Sequence, residues 1–310
     1  MAAIDVHNVA HSYGSTSALT DVSLSVESGR LTGLLGPNGS GKTTLFRLLA
    51  TLLPLQHGSV TIDGVDLRTA ADEVRHRLGI TFQSPAVDSR LTVEENLTCH
   101  GRLYGLRRTD IRNRINHLLT LFSLADRRRS PAGDLSGGLR RRVELAKGLM
   151  HRPRILLLDE PSTGLDPAAR RQFWELVNLQ RETEGTTVVV TTHLMEEAEG
   201  CDDLVLMDAG RVVRTGTPHD LMSLQRDQRL LLRPRAAADR VLREELQKFL
   251  SVEGTVTGGR LVFHLADAAD ELRRVMQSFG DRILSAEVAN PTLEDVFVDL
   301  TGHALTETVV

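Results

Sequence analysis

Short apolar runs and helical stripes alternate along this 310-residue chain. Residues 30–35, RLTGLL, form an apolar run that predicts a buried strand. Downstream, Leu45, Leu48, Leu49, Leu52 and Leu53 recur at helical spacing, and Pro54 predicts where that helix ends. Residues 155–160, ILLLDE, place four apolar residues before two acids. Such a run reads as a buried parallel strand whose carboxyl end carries Asp159 and Glu160 to the sheet edge, where ligands bind in open α/β folds. Leu139, Val143, Ala146 and Leu149 mark one side of a further helix. The segment LVLMDAGRVVRTG reads as a hairpin, and beyond Pro218 the texture changes. RLLLR (229–233) predicts a strand, AAADRVLREELQKFL a helix, TVTGGRLVFHLA two strands joined at Gly258 and Gly259, DAADELRRVMQSF a helix and RILSAEV a strand. That βαββαβ order is ferredoxin-like. A short terminal helix follows, with Leu293, Val296, Phe297 and Leu300 expected to pack on the tail's own sheet and Glu294, Asp295 and Asp299 expected to be exposed.

Between the first strand and the first helix stands GPNGSGKTT, residues 36–44. Gly36, Gly39 and Gly41 let the backbone bend tightly and bring its N–H groups close to a ligand. The helix beginning near Lys42 adds unpaired N–H groups and a positive dipole end, so the ligand should be a phosphate. Gly36, Gly41, Lys42 and Thr43 satisfy G-x-x-x-x-G-K-[ST], in which the lysine faces the phosphates and the hydroxyl suits Mg²⁺. With that loop present, Asp159 is placed to hold Mg²⁺ and Glu160 to act as base for an attacking water. Residues 134–150, DLSGGLRRRVELAKGLM, repeat the arrangement: Ser136, Gly137 and Gly138 expose backbone N–H groups at a helix start, forming either a second anion site or an ordinary serine cap.

Composition changes this picture little. The length suggests about two domains, and 41% apolar with 25% charged residues describes an ordinary globular chain. A net charge of −4 gives no global basic field, so nucleic acid is not expected as a partner. Arg127 to Arg129 and Arg140 to Arg142 are local basic runs that read as solvated faces. Cys99 and Cys201 fit no metal or redox spacing, which suggests a reduced cytosolic chain. No apolar run reaches the ~20 residues of a membrane span, and the N-terminus lacks a signal-peptide pattern, so work at a membrane would go through a partner.

The order of these pieces resembles the ATP-binding subunits of ABC transporters: GPNGSGKT at 36, Gln83 after GITF, LSGGL at 135, ILLLDE at 155, STGLD at 162 and His193 after VVVTT. The resemblance covers roughly residues 4–217 and implies a P-loop NTPase of α/β class with an antiparallel β subdomain and a helical subdomain about 84–150. It implies ATP and Mg²⁺ as ligands, and Lys42, Glu160 and His193 as catalytic residues. Nucleotide would be contacted by Tyr13, by Gly36, Pro37, Asn38, Gly39, Ser40, Gly41, Lys42, Thr43 and Thr44, and by Gln83, Asp166 and the Ser136–Gly138 loop. Thr43, Gln83 and Asp159 would approach the metal. Tyr13 resembles the aromatic that stacks on adenine, although an ordinary strand-end tyrosine has the same pattern. Asp166 resembles the acid linking the two sites, and with Pro167 it is also a good helix cap.

The resemblance further implies a head-to-tail homodimer, each ATP lying between the P-loop of one chain and the LSGG helix of the other. The usual fifth signature residue is glutamine, and here it is Leu139. Phosphate contact by Ser136, Gly137 and Gly138 should survive that change, while polar contact by residue 139 is lost. Residues 291–303, PTLEDVFVDLTGH, resemble the tail of the drug-resistance type of ATP-binding subunit, from exporters with separate ABC-2 permeases. The expectation is therefore an ATPase domain over 1–217, an accessory α+β domain over 218–310, and attachment to the cytoplasmic face of the cell membrane through the permease. The rival expectation, a soluble ABC ATPase acting on DNA or ribosomes, lacks support from a heptad insertion or a second P-loop in the chain.

Overall fold

The computed structural model describes residues 2–84, 86–224, 228–235 and 240–304. Its contacts divide them into two compact units, one running to Thr217 and the other Pro218–Ala304.

The first unit begins with β1 (Ala2–Tyr13), β2 (Thr16–Glu27) and β3 (Leu31–Leu35), then α1 (Lys42–Leu49), β4 (His57–Ile62), β5 (Val65–Asp66), α2 (Ala71–Arg77) and β6 (Leu78–Thr81). Helices α3 (Val93–Leu103), α4 (Arg108–Leu121) and α5 (Gly137–Gly148) follow. The unit closes with β7 (Ile155–Asp159), α6 (Pro167–Glu184), β8 (Thr187–Thr192), α7 (Met195–Glu199), β9 (Asp203–Asp208) and β10 (Arg211–Gly216). Six strands form one sheet in the order β10-β9-β3-β8-β7-β6. All neighbours are parallel except the β9/β10 hairpin. Every residue of β3, β7 and β8 is buried, as expected of parallel strands covered on both faces. An antiparallel sheet, β2-β1-β4-β5, shares one core with it, joining Val6 and Ile62 to Leu45 and Phe46 of α1 and to Leu34, Leu157 and Val189. Helix α3 packs on both α4 and α5.

The register carries the functional consequence. Leu35 pairs with Thr192, Asp159 with Thr191, and Thr81 with Leu158. The carboxyl ends of β3, β8, β7 and β6 therefore finish at one sheet edge, and the chain leaves them at residue 36, at His193, at Glu160 and just before Gln83.

Helix α1 is shorter than its apolar spacing predicts. It ends at Leu49, and Thr51 adopts φ 59°. The N–H of Thr51 donates to Leu48 O at 3.0 Å and that of Leu52 to Arg47 O at 2.8 Å, the double bond of a Schellman stop. Leu52 lies past the stop and is 55% exposed, so it is no part of the helix's buried face.

The second unit contains α8 (Pro218–Met222), β11 (Gln228–Pro234), α9 (Arg240–Leu250), β12 (Thr255–Thr257), β13 (Arg260–Leu265), α10 (Ala268–Phe279), β14 (Ile283–Ala289) and α11 (Leu293–Thr301). The start expected for α9, 236–239, lies outside the described residues. Its sheet is antiparallel throughout, in the order β12-β13-β11-β14. Leu230, Leu232, Leu242, Leu246, Phe263, Val275 and Ile283 form its core. The terminal helix departs from expectation in two places. Asp295 is not exposed: it closes a capping box with Thr292 and lies 3.5 Å from Arg229 and 3.8 Å from His264. Leu300 stays 38% exposed, while Leu293, Val296 and Phe297 are buried and α11 lies against α8.

A β-branched residue in the left-handed region is strained. Thr51→Asn is therefore expected to stabilise the chain by about 1 kcal/mol, since asparagine tolerates that conformation and its carbonyl can still accept from Arg75. Urea unfolding checks this, and a lowered midpoint would contradict the assigned stop.

Candidate functional site

The loop between β3 and α1 folds against neighbouring backbone. A Cβ on Gly36 would overlap the carbonyl oxygen of Met207, and one on Gly41 would lie 2.8 Å from Ala18 O. Gly39 and Gly41 also take φ 85° and 98°, a region that side chains disfavour. Gly36 is thus fixed by space, and Gly41 by space as well as by conformation. Ser40 and Lys42 are buried, whereas Asn38, Gly39 and Thr43 are exposed, and Pro37 and Thr44 are half-buried.

Lys42 Nζ donates to Gly36 O at 2.6 Å and to Pro37 O at 2.8 Å. Its ammonium is therefore curled into the loop's own carbonyls. Burial pushes its pKa below the ordinary lysine value, opposed by the charges of Glu160 and Asp159. At the end of β7, burial drives the Asp159 carboxyl above its ordinary value, opposed by the hydroxyl of Thr191, which donates to Oδ1 at 2.6 Å. A buried cation and a buried carboxylate thus share the sheet edge.

Glu160 follows with φ 41°, and its N–H donates to Thr191 O at 3.1 Å and to Thr191 Oγ1 at 3.0 Å. Those bonds turn its side chain into a small cluster: Gln83 Nε2 donates to Oε2 at 2.9 Å, Thr163 Oγ1 to Oε2 at 3.3 Å, and His193 Nδ1 lies 3.5 Å from Oε1. Gln83, Glu160 and His193 come from three different strand ends and meet here. Tyr13, the Ser136–Gly138 loop and Asp166, all expected at the site, take no part in the contacts of this cluster. Tyr13 closes β1, is 46% exposed and packs edge-on against His11. Ser136 caps α5, its Oγ accepting from Leu139 N at 3.4 Å, and Gly137 beside it is exposed while Gly138 and Leu139 are half-buried. Asp166 caps α6, accepting from Ala168 N and Ala169 N at 2.9 Å, with Pro167 as first helical residue.

Two contributors were not picked out by sequence reasoning. Thr191 binds both Asp159 and the backbone of Glu160; the threonine pair ending VVVTT was its only signal. Arg141 lies in a basic run that reads as a solvated face, yet it is buried. It donates to Pro161 O at 2.6 Å, to Phe82 O, and to Glu144 Oε2 at 2.7 Å. Glu144 Oε1 in turn accepts from Ala86 N at 2.8 Å. Helix α5 is therefore tied to the segments that carry Glu160 and Gln83, and the solvated reading fails for this arginine.

A strand ending in a glycine-framed lysine loop, with an acid pair two strands away in the same parallel sheet, defines a P-loop nucleotide hydrolase. The family model described as ABC transporter matches residues 19–163. The chain is 39% identical over 298 residues to the daunorubicin resistance ATP-binding protein DrrA2 of Streptomyces coeruleorubidus, covering 94% of this chain and 92% of that protein. It is 37% identical to the Nod factor export ATP-binding protein I of Cupriavidus pinatubonensis, covering 98% of this chain and 92% of that one. Among solved structures, the ATP binding subunit of an ABC transporter superposes with TM-score 0.65 at 29% identity, over 71% of this chain and 92% of that one. CbiO1 of Clostridium perfringens, part of the transporter complex cbiONQ, gives TM-score 0.67 at 25% identity, over 81% of this chain and 96% of that one. The chain belongs to the ATP-binding subunits of ABC transporters, and its activity is ATP hydrolysis.

A carboxyl raised by burial binds its proton more tightly in the folded chain than in the unfolded one. Asp159 therefore favours the fold most below its ordinary pKa, and that contribution is lost as pH rises through the raised value. Asp159→Asn, whose amide oxygen can still accept from Thr191, is expected to raise the melting midpoint in nucleotide-free buffer at pH 7, with the gain shrinking towards pH 4. Scanning fluorimetry across that range checks it. A lower midpoint than the parent at pH 7 would show that the buried carboxylate is no burden.

Proposed function

We propose that the chain is the ATPase of an exporter, pairing with a second copy so that two ATP molecules lie at the interface and driving two ABC-2 permease chains by closing on ATP and opening after hydrolysis. The observation that carries this reading is the meeting of Gln83, Glu160 and His193 beside the Lys42 loop. In it, phosphate oxygens replace the Gly36 and Pro37 carbonyls as partners of Lys42, and the loop N–H groups bind the same phosphates. Glu160, oriented by Gln83, accepts a proton from water as the water oxygen attacks the γ-phosphorus. The bond from that phosphorus to the bridging oxygen breaks, ADP departs, and Lys42 and His193 offset the charge that develops.

Thr43, Asp159 and the Gln83 amide present an all-oxygen donor set that fits Mg²⁺, which when bound neutralises charge on the phosphate oxygens. Among the described residues no group of three or more His, Cys, Asp or Glu side chains could hold a metal by itself, so such an ion would depend on phosphate oxygens as well. The exposure of Ser136 and Gly137 at the start of α5 supports their role as the second half of a partner's site. Tyr13, exposed at a strand end, is available to stack on adenine.

The relatives, a daunorubicin resistance ATP-binding protein and a Nod factor export ATP-binding protein, favour export over action on DNA or ribosomes. No helix among the described residues is long and apolar enough to cross a membrane. Attachment to the cytoplasmic face of the cell membrane would come through the permease. We read 1–217 as the ATPase domain, with a helical subdomain about 84–150, and 218–310 as an accessory domain. The element order and the sheet order β12-β13-β11-β14 support a ferredoxin-like reading of the latter.

Glu160→Gln is expected to bind ATP with parent affinity and to lose turnover by about 10²–10⁴-fold, the worth of a positioned base. Sizing chromatography with ATP and Mg²⁺ should then show an accumulated dimer. Turnover near the parent rate would remove Glu160 from the mechanism, and a monomer under saturating ATP would remove the shared site.

A further inference from the structure

Glu197, on α7, is 6% exposed and lies outside the loop that carries Lys42. Three donors nonetheless converge on its carboxylate. Ser162 Oγ and Trp174 Nε1, the latter at 3.2 Å, donate to Oε1, and Thr192 Oγ1 donates to Oε2. A carboxylate is an acceptor only, so the three donors match its two oxygens. Among the described residues no arginine, lysine or histidine forms an ion pair with it. A buried acid without a cation is costly, and its neighbours indicate what it is for.

Ser162 is fully buried in the loop that leaves Glu160 and ends at Asp166. Its carbonyl accepts from Leu165 N at 3.0 Å, and the Glu160 carbonyl accepts from Thr163 N at 3.3 Å, so the loop is closed by its own backbone bonds. Thr192 immediately precedes His193, and its hydroxyl also accepts from Leu194 N at 3.0 Å, which fixes the turn on which His193 sits. Trp174 belongs to α6, the helix that Asp166 caps. Glu197 is thus bonded at once to the loop after β7, the end of β8 and α6.

We propose that Glu197 is a positioning residue for hydrolysis: it locks the Glu160-to-Asp166 loop to the His193 turn, so that the base, the phosphate-facing histidine and the acid directed at the partner chain change position together. The proposal rests on the ATPase reading above. It also makes Trp174, the chain's one tryptophan, a reporter of that lock, because its indole N–H shares the Glu197 oxygen that binds Ser162.

Glu197→Gln keeps the side chain's shape and replaces one acceptor oxygen by a donor, so the Ser162 and Thr192 arms cannot both be kept as they are. The test measures ATPase kinetics and tryptophan emission with and without ATP and Mg²⁺, on the full chain. The lock requires kcat to fall by roughly tenfold or more, from misplaced catalytic groups. KM should stay within about threefold, and the ATP-dependent change of emission should be lost while nucleotide still binds. A merely structural acid would instead lower the melting midpoint and leave both kcat per folded molecule and the emission response at parent values, which overturns the proposal. If Glu197→Gln does not fold, Ser162→Ala and Thr192→Val each cut one arm and must give the same kcat loss with little change in KM; parent kinetics in both would overturn it equally. A parent chain with no ATPase activity would remove the underlying reading, whereas an active parent with an unaffected Glu197→Gln variant removes the lock alone.

Discussion

Parallel pairing of β3, β8, β7 and β6 brings four strand ends to one edge, and each chemical group of the site is placed by that pairing. Because Leu35, Thr192, Asp159 and Thr81 lie at adjoining levels, the lysine loop, His193, the acid pair and Gln83 emerge side by side although the sequence separates them widely. A slip of one residue in any of these strands would turn every one of its side chains to the opposite face of the sheet. Full burial of β3, β7 and β8 makes such a slip costly, so the hydrophobic core holds the chemistry in register.

On that edge the fold keeps charges that it would be more stable without. Lys42 is buried to 4% exposure and held by the carbonyls of Gly36 and Pro37 and, at 3.5 Å, the hydroxyl of Ser40, and Asp159 is desolvated with one hydroxyl on Oδ1. Neither arrangement is the best available for an ion, and under the proposed function both would improve as phosphate oxygens and a divalent cation supplied further partners. Binding free energy would thereby be linked to relief of an unfavourable electrostatic state. Arg141 and Glu144 serve a different end, since each neutralises the other inside α5 while bonding the segments that carry Glu160 and Gln83. Helix α5 is thereby bonded to both segments.

Much of this was legible in the sequence because it lies in local patterns. The glycine loop, the apolar run ending in Asp159 and Glu160, and the proline after Asp166 each announce a backbone conformation together with a chemical group. What escaped depends on contacts distant in sequence. Arg141 sits between the half-buried Arg140 and Arg142, and its own burial comes with Glu144 and the carbonyls of Phe82 and Pro161. Asp295 reads as a surface acid until the capping box with Thr292 and the nearness of Arg229 are seen. The end of α1 was misjudged because Leu52 continues the apolar spacing past a left-handed threonine, and spacing alone carries no sign of a Schellman stop.

The central claim is that the loop around Lys42 is a cradle for the terminal phosphates of a nucleotide, held ready by its own carbonyls. Calorimetric titration of the parent chain with ATP, ADP and AMP in Mg²⁺ buffer tests it most directly. The account requires affinity to collapse for AMP, which lacks the groups that Lys42 and the loop N–H groups would hold, and to be retained for ATP and ADP. Equal affinity for AMP and ATP would contradict it.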